Sequence, residues 1–401
     1  MKPLVSLLPF DEALEVVTKN IKPINETEVV PIDNAVGRVL AEDIVATQST
    51  PPFDRGAMDG YAVKAENTSG ASKENPIVFE LVGVIHAGDV PDGGVGTGQC
   101  MQIATGAMIP EGANAVVKVE DTSIVGRQVS IYKEIAPLTD VGRKGEDIKA
   151  GETVLYTGAC LNAGKIGVLA SQGLEKVKVY IKPRVSVMPS GEEVVELGKE
   201  LKTGQLYDIN SYTILSVVNE NGGVPVRPGI IGDTVEDIKA KLTEALDVSD
   251  FLVFSGGSSA GEKDLLSSVV AEMGIIVFHG VEIKPGKPTM FAIINDKPVF
   301  GMPGHPASSL VNSYLFLTPA LRKMARLPEK RAQTVNVKMS KTTKGAKDRP
   351  QFMTVKLEGN EAIPVFTESG AITSISRADG YFKIEKGGSV EKCQEVTVTL
   401  F

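Results

Sequence analysis

Phe251-Leu252-Val253-Phe254-Ser255-Gly256-Gly257-Ser258-Ser259-Ala260-Gly261 is an apolar run that stops at a serine and opens into a glycine loop. A short apolar run bounded by turn residues reads as a buried strand, and a helix is expected to follow from near Lys263. The segment from 184 to 326 repeats this theme, with further strand candidates at Arg184–Met188, Val224–Arg227 and Ile275–Phe278. Between them Val235, Ile238, Leu242, Ala245 and Leu246 share one helical face, and Thr234 and Asp237 are spaced as a capping box. Such alternation predicts a mostly parallel sheet covered by helices on both sides. Functional loops then belong beyond the carboxyl ends of the strands.

The flanks read differently. Residues 10–21 form an amphipathic helix with Asp11 as N-cap and Ala13, Leu14, Val17 and Ile21 near one face, placed outside the α/β block. From 51 to 145 the apolar runs are short and punctuated by glycine and proline, as in Val78–Val84, Met101–Ala104, Ala115–Val119 and Val129–Ile131, which predicts a β-rich domain. After residue 328 the period returns to two: Val335, Val337 and Met339, then Met353, Val355 and Leu357, then Val396, Val398 and Leu400. A small C-terminal β-domain is expected there. With 401 residues the chain exceeds one ordinary core, so at least three domains are expected.

Composition narrows the function. With 42% apolar and 23% charged residues the chain has the make-up of a globular protein. A net charge of -8 argues against a general affinity for nucleic acid or anionic membranes, so any anion must be captured locally. Only Cys100, Cys160 and Cys393 are present, too dispersed for a disulfide framework or a CxxC pair, which fits a reducing compartment. Near the start, prolines and acids interrupt the apolar run, unlike a secretory segment, and no stretch is long enough to span a bilayer. A cytoplasmic enzyme is the expectation.

Three stretches carry candidate chemistry. In the glycine loop, backbone N–H groups and a helix amino terminus suit a phosphate, although a plain strand-to-helix turn has the same composition. Lys284-Pro285-Gly286-Lys287-Pro288 sets two ammonium groups on a proline-stiffened turn, which suits a doubly charged oxyanion or is simply a solvated cationic turn. The neighbouring Pro303-Gly304-His305-Pro306 adds another strand-to-helix loop. Acidic residues recur beside these loops at Glu193, Asp233 and Asp264, where they serve either as Mg²⁺ ligands or as caps and surface charges. No nucleophile motif accompanies His86, His279 or His305.

At a higher level, Pro51-Pro52-Phe53-Asp54-Arg55-Gly56-Ala57-Met58-Asp59-Gly60-Tyr61-Ala62-Val63 closely resembles the hallmark segment of the molybdopterin molybdenumtransferases, the MoeA and gephyrin E-domain family. The resemblance continues through Ala104–Val117, Arg143-Lys144-Gly145-Glu146-Asp147-Ile148, Pro189-Ser190-Gly191-Glu192-Glu193, the glycine loop and both later loops. It covers essentially the whole chain. Arg55-Gly56 stand where many members have Asn-Ser, and His305 where Asn is usual, which bears on ligand preference, including molybdate against tungstate.

The resemblance implies a multidomain α/β plus β fold. An elongated N-terminal domain (1–50 and 145–180) would carry an inserted β-rich domain (51–144). A three-layer α/β/α molybdopterin-binding domain (181–328) and a C-terminal β-barrel-like domain (329–401) would follow. It implies insertion of molybdate into adenylylated molybdopterin with release of AMP, assisted by Mg²⁺ near Asp59, Glu193, Asp233 and Asp264, with Asp147 in the same acidic set. Lys284 and Lys287 would hold the molybdate. Substrate would be bound by Gly256, Gly257, Ser258, Ser259 and Gly261, by the loop Pro303–Pro306, and by Arg349 and Ser374. A homodimer with composite active sites is implied, with a molybdopterin adenylyltransferase and molybdoenzymes as partners and neither nucleic acid nor membrane. A non-catalytic scaffold role is the alternative, disfavoured by the lack of a long flexible linker or an appended domain.

Overall fold

The computed structural model describes residues 7–232, 234–256, 265–366 and 370–401. The chain divides into two compact units, Met1–Val29 with Gly37–Val39 and Lys178–Phe401, and Val30–Val36 with Leu40–Val177.

In the first unit a six-stranded sheet has the order Val224–Val226, Arg184–Pro189, Phe251–Ser255, Lys297–Met302, Met290–Ile294, Ile275–His279. The first four strands run parallel, and the last two are antiparallel to their neighbours. Register explains why Phe251–Ser255 is apolar at consecutive positions. Val185 and Val187 lie beside Phe251 and Val253, and all four enter one core with Ile214, Val218 and Leu321. Met188, Leu252 and Phe254 face the other side, against Ile238, Leu242, Leu246, Leu266 and Val269. The sheet is therefore covered on both faces, as a strand apolar on both sides requires. The helix Val235–Val248 starts at Thr234, whose hydroxyl accepts the N–H of Asp237, and it buries Ile238, Leu242, Ala245 and Leu246.

The antiparallel edge follows from Asn295-Asp296. These two residues turn the hairpin with φ of 51° and 61°, values that Asn and Asp tolerate better than most side chains.

Two expectations for the amino-terminal helix need correction. The helix Phe10–Asn20 is preceded by Pro9 without a side-chain cap, and Asp11 sits with Glu12 in the first turn, where the acids complement the helix dipole. Rather than lying outside the α/β block, it sends Ala13 and Val17, followed by Ile21, into the core that holds Val185 and Phe251. The strand Leu8–Pro9 also pairs parallel with Val281–Glu282. An amphipathic stripe fixes that one face is buried but not against which element.

Also in the first unit, Thr334–Met339, Glu361–Pro364, Gln351–Glu358, Gly380–Ile384 and Glu395–Leu400 close into a barrel. All nine residues of the period-two pattern contribute to its interior or pack against it.

The second unit is built on another six-stranded sheet, ordered Ala115–Lys118, Gly60–Val63, Gln99–Ile103, Ile77–Ile85, Gln128–Ile131, Thr122–Val125. Tyr61 and Val63 face one core with Phe79 and Val117, while Ala62 faces another with Ile103 and Val116. A Cβ on Gly60 would lie 2.0 Å from the carbonyl oxygen of Val117, so the glycine permits this strand approach.

Candidate active site

Within the first unit, a cleft of about 850 Å³ opens beyond the carboxyl ends of the parallel strands. Three strand ends form its floor. Ser190 follows Arg184–Pro189, Ser255 and Gly256 end the next strand, and Pro303 follows Lys297–Met302. The N–H of Ser190 donates to the carbonyl of Ser255 at 2.9 Å, and that of Gly256 to Met302 at 3.2 Å. Gly256 has φ of 90°, and a Cβ there would approach the carbonyl oxygen of Ser190 to 2.4 Å, so glycine is needed for the chain to leave the strand here.

The opposite wall is cationic. Lys284 and Lys287 are half-buried, line the cleft and have no ion-pair partner among the described residues. Their turn is held by backbone bonds. The N–H of Lys284 donates to Pro350 at 2.9 Å, and Lys284 accepts from the N–H of Phe352 at 2.8 Å. This pairing sets Arg349, just before the barrel strand Gln351–Glu358, at the same cleft. Arg349 lies 3.3 Å from Asp348, and its buried Nε has no hydrogen-bond partner. Between the lysines, Gly286 (φ 105°) lies so close to Asn312 that a Cβ would come within 1.6 Å of the amide nitrogen.

Glu193 also lines the cleft, folded over Gly191, where a Cβ would lie 2.7 Å from a carboxylate oxygen. Gly304, His305 and Pro306 complete the rim, with His305 preceding the helix Pro306–Asn312. Ser374 is buried elsewhere, its hydroxyl donating to the carbonyl of Ala371 at 2.6 Å, and it does not line the cleft. Gly257, Ser258, Ser259, Gly261, Asp264 and Asp233 lie outside the described residues.

The second unit gathers the other motifs. The 51–60 segment meets 104–109 where Gly56 donates to Ala107 at 2.9 Å and accepts from Gly106 at 2.8 Å. It meets 143–148 where Gly145 donates to Pro51 at 2.9 Å and Lys144 donates its N–H to the Asp54 carboxylate at 2.7 Å. Asp59 is exposed, and its Oδ1 accepts from the N–H of Thr105 at 2.6 Å and from the Thr105 hydroxyl at 2.8 Å. These bonds, the N–H first and the hydroxyl second, hold its pKa below 3.8. Asp147 is exposed, with its N–H on the carbonyl of Thr50 at 3.1 Å. No group of three His, Cys, Asp or Glu side chains gathers for a metal among the described residues.

Two polar cleft residues, Asp208 and Asn210, were not singled out from the sequence, and Ser190 was noted only as part of a family segment. Asp208 is buried and accepts the N–H of Ser211 at 2.9 Å, with Arg227 3.7 Å away. Arg227 in turn stacks on Tyr212 at 4.5 Å. Asn210 donates from Nδ2 to the Ser255 hydroxyl at 2.6 Å and to the Gly304 carbonyl at 2.8 Å. The usable signal was Asp208-Ile209-Asn210-Ser211, a cluster of capping residue types before an apolar-periodic helix.

Comparison with known proteins agrees along the chain. Residues 8–173 match the MoeA N-terminal region (domains I and II), 193–323 a probable molybdopterin binding domain, and 336–401 the MoeA C-terminal region (domain IV). A molybdopterin biosynthesis protein of Methanocaldococcus jannaschii is 35% identical, covering 100% of both chains. The molybdopterin molybdenumtransferase of Bacillus subtilis is 34% identical over 79% of this chain and 74% of its own. The crystal structure of the moeA protein of Pyrococcus horikoshii superposes with a TM-score of 0.86 at 40% identity, covering 98% of this chain and 99% of that one. Motif order, sheet topology, terminal barrel and these matches agree: the chain belongs to the MoeA family of molybdopterin molybdenumtransferases.

Proposed function

We propose that the chain inserts molybdate into adenylylated molybdopterin, cleaving the adenylyl phosphoanhydride and releasing AMP, and that Mg²⁺ assists. One observation carries this reading: Lys284, Lys287 and Arg349 converge on a cleft at the strand ends in a chain of net charge -8. A dianionic oxyanion there gains charge-assisted hydrogen bonds that the bulk surface does not offer. The three cysteines are absent from the cleft lining, so the sulfur ligands for molybdenum come from the dithiolene of the pterin substrate.

Anhydride cleavage adds water across the P–O–P bridge, leaving one phosphate on the pterin and the other as AMP. Mg²⁺ would neutralise the charge that develops on the phosphate oxygens. Glu193 fits such an ion, because its carboxylate faces the cleft with no ion-pair partner among the described residues, and Mg²⁺ commonly takes one or two carboxylates alongside phosphate oxygens. Asp233 and Asp264 complete the proposed ligand set. Asp59 and Asp147 enter this reading through a homodimer in which each active site draws residues from both chains. A molybdopterin adenylyltransferase would supply the substrate, and apo-molybdoenzymes would receive the product.

The decisive experiment incubates purified protein with adenylylated molybdopterin, Mg²⁺ and molybdate, measuring AMP release and reconstitution of an apo-molybdoenzyme. Both should depend on molybdate. AMP release with no reconstituting activity, or bound pterin that is never turned over, would replace the transferase with a binding or scaffold role. Equal or better turnover with tungstate would reassign the metal.

A further inference from the structure

Residues lining the cleft hold buried polar atoms without hydrogen-bond partners among the described residues. Asn210 begins the helix Asn210–Glu220 and spans two of the strand-end loops through its amide nitrogen. Its orientation is settled chemically, because the Gly304 carbonyl can only accept and the NH₂ must face it. Oδ1 is therefore a pure acceptor, and it is buried with no hydrogen-bond partner among the described residues. Ser190 Oγ, just past the strand that pairs with Phe251–Ser255, is likewise buried with no hydrogen-bond partner among the described residues. Few such groups survive in a folded protein unless a ligand or water completes them.

We propose that Asn210 is a specificity-determining residue for the pterin, its Oδ1 accepting from the 2-amino group and N3–H edge, with the Ser190 hydroxyl beside it. This rests on the reading of the cleft given above. The groups lining the cleft differ in chemistry. The side chains of Lys284, Lys287 and Arg349 are donors and suit oxyanions, whereas Asn210 Oδ1 is an obligate acceptor and suits an obligate N–H donor. A pterin carries that donor edge on a flat ring at the end remote from its phosphate, so one substrate offers groups for both. Two amide hydrogen bonds fix the Asn210 rotamer, which lets the acceptor discriminate rather than swing to suit any ligand.

Lumazine, which carries a carbonyl in place of the 2-amino group, tests this without a change of shape. Fluorescence quenching should show 6-hydroxymethylpterin binding the wild-type protein at least about tenfold more tightly than its lumazine counterpart, since the 2-amino donor is replaced by an acceptor and only N3–H is left to face Oδ1. Asn210→Ala should bind the two alike when measured below its thermal transition, which should fall because the Ser255 hydroxyl and the Gly304 carbonyl lose a donor. Equal binding of both by wild type, or discrimination retained in Asn210→Ala, overturns the proposal. So does a preference for AMP over IMP that vanishes in Asn210→Ala while both pterins bind alike, because the acceptor would then read adenine. Should Asn210→Ala fail to fold, the wild-type comparison decides alone. Pterin discrimination without molybdate-dependent AMP release would leave this assignment standing and remove the transferase reading instead.

Discussion

The loop around Asp59 and the turn around Lys284, one in each unit, are built on opposite plans. In the second unit the carboxylate is exposed and already holds two protein donors on Oδ1. In the first unit the backbone is pinned while the charged ends are left unpaired, since Lys284 is fixed by Pro350 and Phe352 and neither lysine has an ion-pair partner among the described residues. A satisfied charge on a loop built by three segments suits an orienting or metal-binding role. Unpaired half-buried cations are costly unless an anion arrives, which suits capture of substrate.

The sharpest attack on this comparison asks whether the two centres serve one site. Asp59→Asn and Lys284→Ala should each abolish most cofactor synthesis at limiting molybdate and Mg²⁺. Mixed so that heterodimers form, they should regain about half the wild-type rate per heterodimer, because one of two symmetric sites then receives both intact halves. Heterodimers verified by mass without recovery would separate the centres.

A smaller effect is expected for Lys284→Ala alone. Losing one charge-assisted hydrogen bond costs about 1.5 to 3 kcal/mol, or roughly 10- to 150-fold in molybdate affinity. The defect should disappear at saturating molybdate. A loss unaffected by molybdate concentration would show that the lysine acts on the pterin or on folding.

Much of the framework was legible in the sequence, because strands buried on both faces leave continuous apolar runs and the barrel leaves an alternating one. Phe251–Ser255 and Val335, Val337 and Met339 are examples. Thr234 announced its helix because the cap and the apolar stripe fall in adjacent positions. The partner of the helix Phe10–Asn20 was not legible, since it packs beside the helix Thr318–Met324 and the strand Val281–Glu282, far along the chain. In the site, Lys284 and Lys287 stood out by charge and Arg349 by resemblance. Asn210 did not, because its role comes from Ser255 and Gly304, distant positions that only folding brings together. Ser374 came from the resemblance alone, and its hydroxyl donates to Ala371.

Glycines test whether the scaffold of the second unit is as rigid as its loop contacts imply. Gly60→Ala should destabilise by about 1 to 3 kcal/mol, because the added methyl meets a backbone oxygen that cannot rotate away. Gly167, in the helix Ala163–Ser171, has open space around the same position. Gly167→Ala should stabilise by about 0.4 to 1 kcal/mol. Denaturant midpoints measure both, and similar shifts of one sign would contradict the strand-approach argument.

The smallest expected effect concerns the protonation of Asp59. Its folded pKa lies below 3.8, first through the Thr105 N–H and then through the Thr105 hydroxyl. A depressed carboxyl pKa contributes stability that is present above the unfolded value and lost as pH falls through the folded one. The relevant window therefore begins at 3.8 and extends downward, and Asp59 is a full anion at neutral pH. Thr105→Val removes only the hydroxyl and keeps the backbone bond. The carboxyl carbon of Asp59, followed by NMR titration, should then shift its midpoint upward, with the Thr105 N–H still holding it on the low side of an ordinary carboxylate. A wild-type midpoint at or above 3.8, or one indifferent to Thr105→Val, would remove the hydrogen-bonded loop as the cause. If the midpoint moves as expected while turnover at neutral pH also falls, protonation is not the reason, because the carboxylate is ionised in both proteins. The loss then belongs to orientation, with the Thr105 hydroxyl fixing which oxygen of Asp59 is left free to act.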